Sequence, residues 1–134
     1  MNTISIHIPS IIENIRMIES FIDNDKERFQ LDDDLYGNIM ISVTEAVNNA
    51  IKHGNSGNST KNVFLSLTLN DTLLTFLIKD EGIGFKHDNL PDPTAPENLE
   101  KPGGRGIFLM KHLSDEVEFL DGGKTVELSF YMNS

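Results

Sequence analysis

A chain of 134 residues has room for one domain with a real hydrophobic core, and its 11 basic against 21 acidic side chains leave a formal charge of −10. That acidity opposes a phosphate backbone, so nucleic acid is not an expected partner; it suits a solvated surface or a basic protein partner. The absence of cysteine removes disulfide frameworks, thiolate zinc sites and thiol nucleophiles together, and it fits a reducing cytoplasm.

Ile4, Ile6 and Ile8 alternate with polar residues, the pattern of a half-buried strand. Such alternation is neither a secretory leader nor a membrane anchor, and no stretch approaches spanning length. Pro9 stops the strand and Ser10 offers an N-cap to a first helix. Ile11, Ile15, Ile18 and Ile22 recur at spacings of three and four, carrying that helix to about Phe29.

Asp32, Asp33 and Asp34 supply a cap and negative charge for a second helix, whose apolar row is Leu35, Ile39, Val43, Ala46 and Ala50. Positions four apart lie nearly above one another, so Glu45, Asn49 and His53 form a polar row on the same helix. At the end of that row His53 reads as a C-terminal residue favoured by the helix dipole. Residues 54–59, Gly-Asn-Ser-Gly-Asn-Ser, are expected to end the helix in a flexible loop.

Val63, Leu65, Leu67 and Leu69 alternate, Asn70-Asp71 turns, and Leu74, Phe76 and Ile78 alternate again, an antiparallel hairpin with Asp80 at its exit. A first glycine loop follows at once, Asp80-Glu81-Gly82-Ile83-Gly84. Between Lys86 and Pro102 the chain holds four of its five prolines, several acids and few apolar residues, too polar to join the core, and a lid over about 86–102 is expected. A second glycine loop, Gly103-Gly104-Arg105-Gly106, leads into a short helix over 107–113. A last hairpin runs from Val117 and Phe119 through Asp121-Gly122-Gly123 into Val126, Leu128 and Phe130. Helices beside antiparallel strands predict an α+β two-layer sandwich, a single domain over 1–134 with the helices on one sheet face.

The polar row and the two loops, in this order, resemble the nucleotide-binding elements of the GHKL ATPase superfamily. The run Glu45-Ala46-Val47-Asn48-Asn49-Ala50 and the passage from Gly104-Arg105-Gly106 into Phe108-Leu109-Met110-Lys111 are similar to the anti-sigma-factor serine/threonine kinase branch. The resemblance covers nearly the whole chain and implies the Bergerat arrangement, a mostly antiparallel mixed sheet, with ATP and Mg2+ as cofactors. It assigns adenine recognition to Asp80: a carboxylate accepts from the exocyclic amine of adenine and would repel the carbonyl of guanine. Gly82 and Gly84 would let backbone approach the base or take positive φ. In isolation this loop reads more readily as an ordinary strand-ending turn.

The second loop precedes a helix whose first N–H groups are unpaired and whose dipole favours anions, a phosphate cradle to which Arg105 or Lys101 can add charge-assisted bonds. It is no Walker loop, because no Gly-Lys-Ser/Thr is present. The resemblance implies that Asn49 ligates Mg2+ through its amide oxygen and that Glu45 is the catalytic base toward an attacking hydroxyl. Without the loops beside them, Glu45 and Asn49 would read as a solvated helix face. Related kinases often carry a basic residue just before the second glycine pair. Here Pro102 stands in that place, between Lys101 and Arg105.

The function these features imply is phosphorylation of a STAS-type antagonist by a regulatory kinase that also holds a sigma factor or analogous output protein, with no membrane contact. A homodimer is compatible with this reading. The alternatives are a nucleotide-gated binding module without phosphotransfer and an ATPase domain related to histidine kinases. For the latter, a preceding helical segment with a phosphoacceptor histidine is expected, and the sequence opens instead on its first strand.

Overall fold

The computed structural model describes residues 2–82 and 102–132. Strands β1 (Asn2–Pro9), β2 (Asn62–Asn70), β3 (Leu73–Lys79), β4 (Glu116–Leu120) and β5 (Thr125–Tyr131) form one sheet in the order β1-β2-β3-β5-β4. All four ladders between them are antiparallel, so among the described residues the mixed sheet expected from the resemblance is purely antiparallel. Side chains alternate across each strand. Ile8, Leu65, Leu67, Leu74, Phe76, Ile78, Leu128 and Phe130 point into the core. There the Phe76 and Phe130 rings meet edge to face at 5.9 Å.

Helices α1 (Ile15–Arg28), α2 (Asp33–Asn49) and α3 (Pro102–Leu113) supply the other layer, their buried residues joining this single core, as an α+β sandwich requires. Asp32 caps α2, its carboxylate accepting the Leu35 N–H at 2.8 Å. The expected row of α2 is the one buried, with Ile39 and Val43 fully enclosed. Enclosing each such side chain contributes roughly 1.5–3 kcal/mol.

Several local expectations need correction. Ser10 caps no helix: the chain passes through a 3-10 turn at Ile12–Asn14 before α1, and the buried Ser10 hydroxyl donates to the Lys61 carbonyl at 2.8 Å. Ile11, expected on the apolar face of α1, is 41% exposed because it precedes the regular helix. The first hairpin turns at Asp71-Thr72, one residue later than expected, since Asn70 pairs with Leu73 and Asp71 takes the left-handed conformation at φ 56°. Pro102 opens α3, five residues before the expected start. A proline at the first helical position loses no bond and has its φ already set, so the glycine run is drawn into the helix.

Asp25 introduces a polar cost into α1. It is 1% exposed, its Oδ1 meets Arg28 at 3.3 Å and its Oδ2 has no partner. Burial outweighs the attraction of Arg28 and lifts its pKa from 3.8 to about 6. The native carboxyl therefore keeps its proton to about pH 6 while the unfolded one releases it near 3.8, so stability falls as pH rises through that window. The linkage amounts to at most about 3 kcal/mol. Asp25→Asn is expected to stabilise the protein at pH 7.5 by about 1–3 kcal/mol and to flatten its stability between pH 4 and 6. Denaturant unfolding of both proteins at pH 4, 5 and 7.5 checks this; the remaining carboxylates titrate in both, so the difference isolates Asp25.

Candidate functional site

Helix α2 carries Glu45 and Asn49 one turn apart, both partly exposed. Beyond Asn49 the helix widens into a π turn, Ala50–Gly54, closed by the Asn55 N–H on the Ala50 carbonyl at 2.8 Å. One added residue per turn rotates everything after it. His53 is exposed on this wide turn, so the regular four-residue row ends at Asn49.

Gly106, buried in α3, faces that row. A Cβ there would lie 3.0 Å from Glu45 Oε2 and 3.0 Å from Asn49 Nδ2, closer than side-chain carbons normally approach. The polar face of α2 and the start of α3 are thus in contact, and any side chain at 106 would make Glu45 and Asn49 give way by a few tenths of an ångström. Gly104 and Arg105 lie in the first turn of α3, where the N–H groups lack intrahelical partners. A phosphate cradle at this place is therefore a helix N-terminus rather than a loop. Lys101 and Gly84 lie outside the described residues, as does the expected lid apart from Pro102.

The second cluster sits little more than one turn further along. Asp80 leaves β3 with its N–H on the Lys124 carbonyl at 2.9 Å and is 6% exposed. Its Oδ1 accepts the Gly82 N–H at 2.8 Å, and the carboxylate packs on Gly54, where a Cβ would overlap it. Burial raises the Asp80 pKa; the Gly82 N–H and the charges of Lys124 and Lys61 oppose this. Gly82 needs to be glycine for packing, because a Cβ would strike the Gly54 carbonyl oxygen. The exit of β3 and the end of α2 thus touch backbone to backbone through two glycines.

Asn55, expected in a flexible loop, is 1% exposed. Its Oδ1 accepts the Glu81 N–H at 2.8 Å, while its Nδ2 donates to Ser10 Oγ at 2.7 Å and to the Asn62 carbonyl at 3.0 Å. Glu81 Oε2 in turn accepts the Asn62 N–H at 2.6 Å. Nothing in the local sequence marks Asn55, one of four small polar residues that share 54–59 with two glycines.

Helix α2 and the π turn that continues it therefore adjoin two polar clusters, one beside a helix N-terminus suited to anions and one where the β3 exit presents a buried carboxylate. Over 98% of its length the chain matches 33% of a crystallised chain, the RsbU and RsbW domains of a Mycobacterium tuberculosis protein, with a TM-score of 0.71 and 16% identity, a likeness of fold. Anti-sigma F factors of Bacillus thuringiensis, Bacillus mycoides and Bacillus anthracis are each 39% identical to it over 99 residues, 69% of this chain and 66% of theirs. The chain thus matches slightly less than two thirds of the length of these relatives. A model of the histidine kinase-like ATPase domain matches residues 8–130, from within the first strand to the last. The chain belongs to the histidine kinase-like ATPase domain family.

Proposed function

We propose that the chain is an ATP-dependent regulatory serine/threonine kinase of the anti-sigma-factor type, acting on a STAS-type antagonist and holding a sigma factor or analogous output protein. The observation that carries this reading is the convergence of Glu45 and Asn49 on Gly106, which sets a carboxylate and an amide beside the N-terminal turns of α3. Asp80, on Gly54, accepts the adenine amine; the free N–H groups at Gly104 and Arg105 receive phosphate oxygens. Gly84 and Lys101 extend these base and phosphate contacts.

Among the described residues no group of three or more His, Asp or Glu side chains could hold a metal alone. A single amide oxygen at Asn49 suits Mg2+, which takes few protein oxygens and fills its shell with waters and phosphate oxygens. Held there, the ion would neutralise phosphate charge. In the transfer itself the substrate hydroxyl oxygen bonds to the γ-phosphorus, the bond from that phosphorus to the bridging oxygen of ADP breaks, and Glu45 takes the hydroxyl proton. The phosphate adds about −1.5 to −2 of charge to the antagonist, and repulsion from this acidic chain releases it. The kinase then engages its output protein in a cytoplasmic partner switch.

The opening of α3 at Pro102, in place of a basic residue, favours a second reading, a nucleotide-gated binding module without phosphotransfer. Incubation with labelled ATP, Mg2+ and STAS proteins of the same organism separates the two, because label on a STAS serine or threonine requires the kinase. Nucleotide binding has its own readout. A ligand at a hundred times its dissociation constant stabilises the native state by about 2.7 kcal/mol, so Mg-ATP should raise Tm by roughly 10 °C, and Mg-GTP by much less. Equal shifts with both nucleotides would sink the adenine assignment.

A further inference from the structure

Asp80 recognises a base only if its carboxylate is held still, yet it stands at a strand exit, where the chain leaves its ladder. Two anchors bear on it. On one side its own N–H is bound to the Lys124 carbonyl at 2.9 Å. On the other, the next residue, Glu81, gives its N–H to Asn55 Oδ1 at 2.8 Å. Asn55 directly follows Gly54, the residue on which the Asp80 carboxylate rests.

The amide of Asn55 is fully used. Both Nδ2 hydrogens are committed, to Ser10 Oγ at 2.7 Å and the Asn62 carbonyl at 3.0 Å, and its backbone N–H closes the π turn on Ala50. Ser10 is fixed in turn, because its N–H and hydroxyl both donate to the Lys61 carbonyl, at 3.0 and 2.8 Å. The end of β1, the start of β2, the end of α2 and the exit of β3 thus meet at one buried side chain. We propose that Asn55 is the positioning residue for base recognition, pinning the Asp80-Glu81-Gly82 exit to the end of α2 so that the Asp80 carboxylate faces the six-position of the base. The inference rests on the adenine reading of Asp80.

Asn55 touches neither phosphates nor metal in this account, so its loss acts on discrimination between bases rather than on affinity for the triphosphate. ATP and inosine triphosphate differ at the position that matters, an amine in one and a carbonyl in the other. The test is the ratio of their affinities, by calorimetry with Mg2+ below the melting temperature of every protein used. Wild type is expected to prefer ATP. Asn55→Ala should reduce that preference about tenfold while changing affinity for inosine triphosphate by less than about twofold. Glu81→Ala keeps the backbone N–H that Asn55 accepts and should keep the preference.

If Asn55→Ala does not fold, Asn55→Ser takes its place: it preserves a small polar group but is too short to reach the Glu81 N–H, and the same loss of preference is expected. A fall in both affinities by one common factor would mark a merely structural residue and overturn the inference, as would an unchanged preference. If wild type itself does not prefer ATP, the adenine reading fails and this inference falls with it. If wild type prefers ATP and the Asn55 variants do so equally, only the inference fails.

Discussion

Glu45→Ala is expected to lower phosphotransfer to the STAS partner about 10²-fold or more while leaving Mg-ATP affinity nearly unchanged. A general base acts only as the hydroxyl loses its proton, so its removal raises the barrier without weakening the bound ground state. The fold should tolerate the change, because Glu45 is only partly buried. If Asn49 ligates magnesium as proposed, Asn49→Ala should instead lower affinity and transfer together. Rapid-quench transfer and nucleotide titration on both variants separate the roles. Equal transfer by Glu45→Ala and wild type would send the search for the base elsewhere, with substrate-assisted transfer next. No transfer by wild type to any STAS partner would favour the nucleotide-gated module.

The largest expected loss of binding belongs to Asp80. Asp80→Asn exchanges a charged acceptor for an amide, and the hydrogen bond at stake is worth about 1.5–3 kcal/mol, or roughly 10- to 100-fold in ATP affinity. The native contact with the Gly82 N–H survives, since an asparagine oxygen can occupy the Oδ1 position. Gly54→Ala offers a second route to the same result without touching the carboxylate chemistry. Its Cβ would overlap the Asp80 carboxylate and push it aside, so a loss of similar size is expected with the same selectivity against ATP. Unaltered ATP affinity in a folded Asp80→Asn protein would remove Asp80 from the site.

The acidic surface bears on the partner. A formal charge of −10 raises the encounter rate with a basic protein, and the effect should weaken with added salt. Among the described residues no helix is long and apolar enough to cross a membrane.

Much of the architecture can be read from periodicity alone. The alternation of Leu65, Leu67, Leu74, Phe76 and Ile78 predicts a hairpin with one buried face, and the structure buries that face. The three-and-four spacing of Ile39, Val43, Ala46 and Ala50 likewise orients α2, and Glu45 and Asn49 share a row because they stand one turn apart. These are properties of the local chain, whose side chains repeat with the period of the backbone that carries them.

What periodicity does not record is which polar group meets which across long separations. The glycines at 54 and 82 look like turn residues, yet packing makes them the contact that seats Asp80. Gly106 reads as loop, yet it lies in a helix pressed against residues 57 and 61 positions earlier, Asn49 and Glu45. Asn55 is one of four small polar residues in its loop, and Ser10 reads as a helix cap; only the closing of β1, α2, β2 and β3 on one another turns them into a buried network. Asp25 lies in α1 with its carboxyl enclosed, a cost the sequence does not announce, because desolvation depends on what covers a group rather than on its neighbours in the chain. Local periodicity accounts for the main elements, most of their buried faces and the reactive groups they carry; where those groups converge follows from tertiary packing, because hydrogen bonds and close backbone approach are set by distances that the folded core imposes.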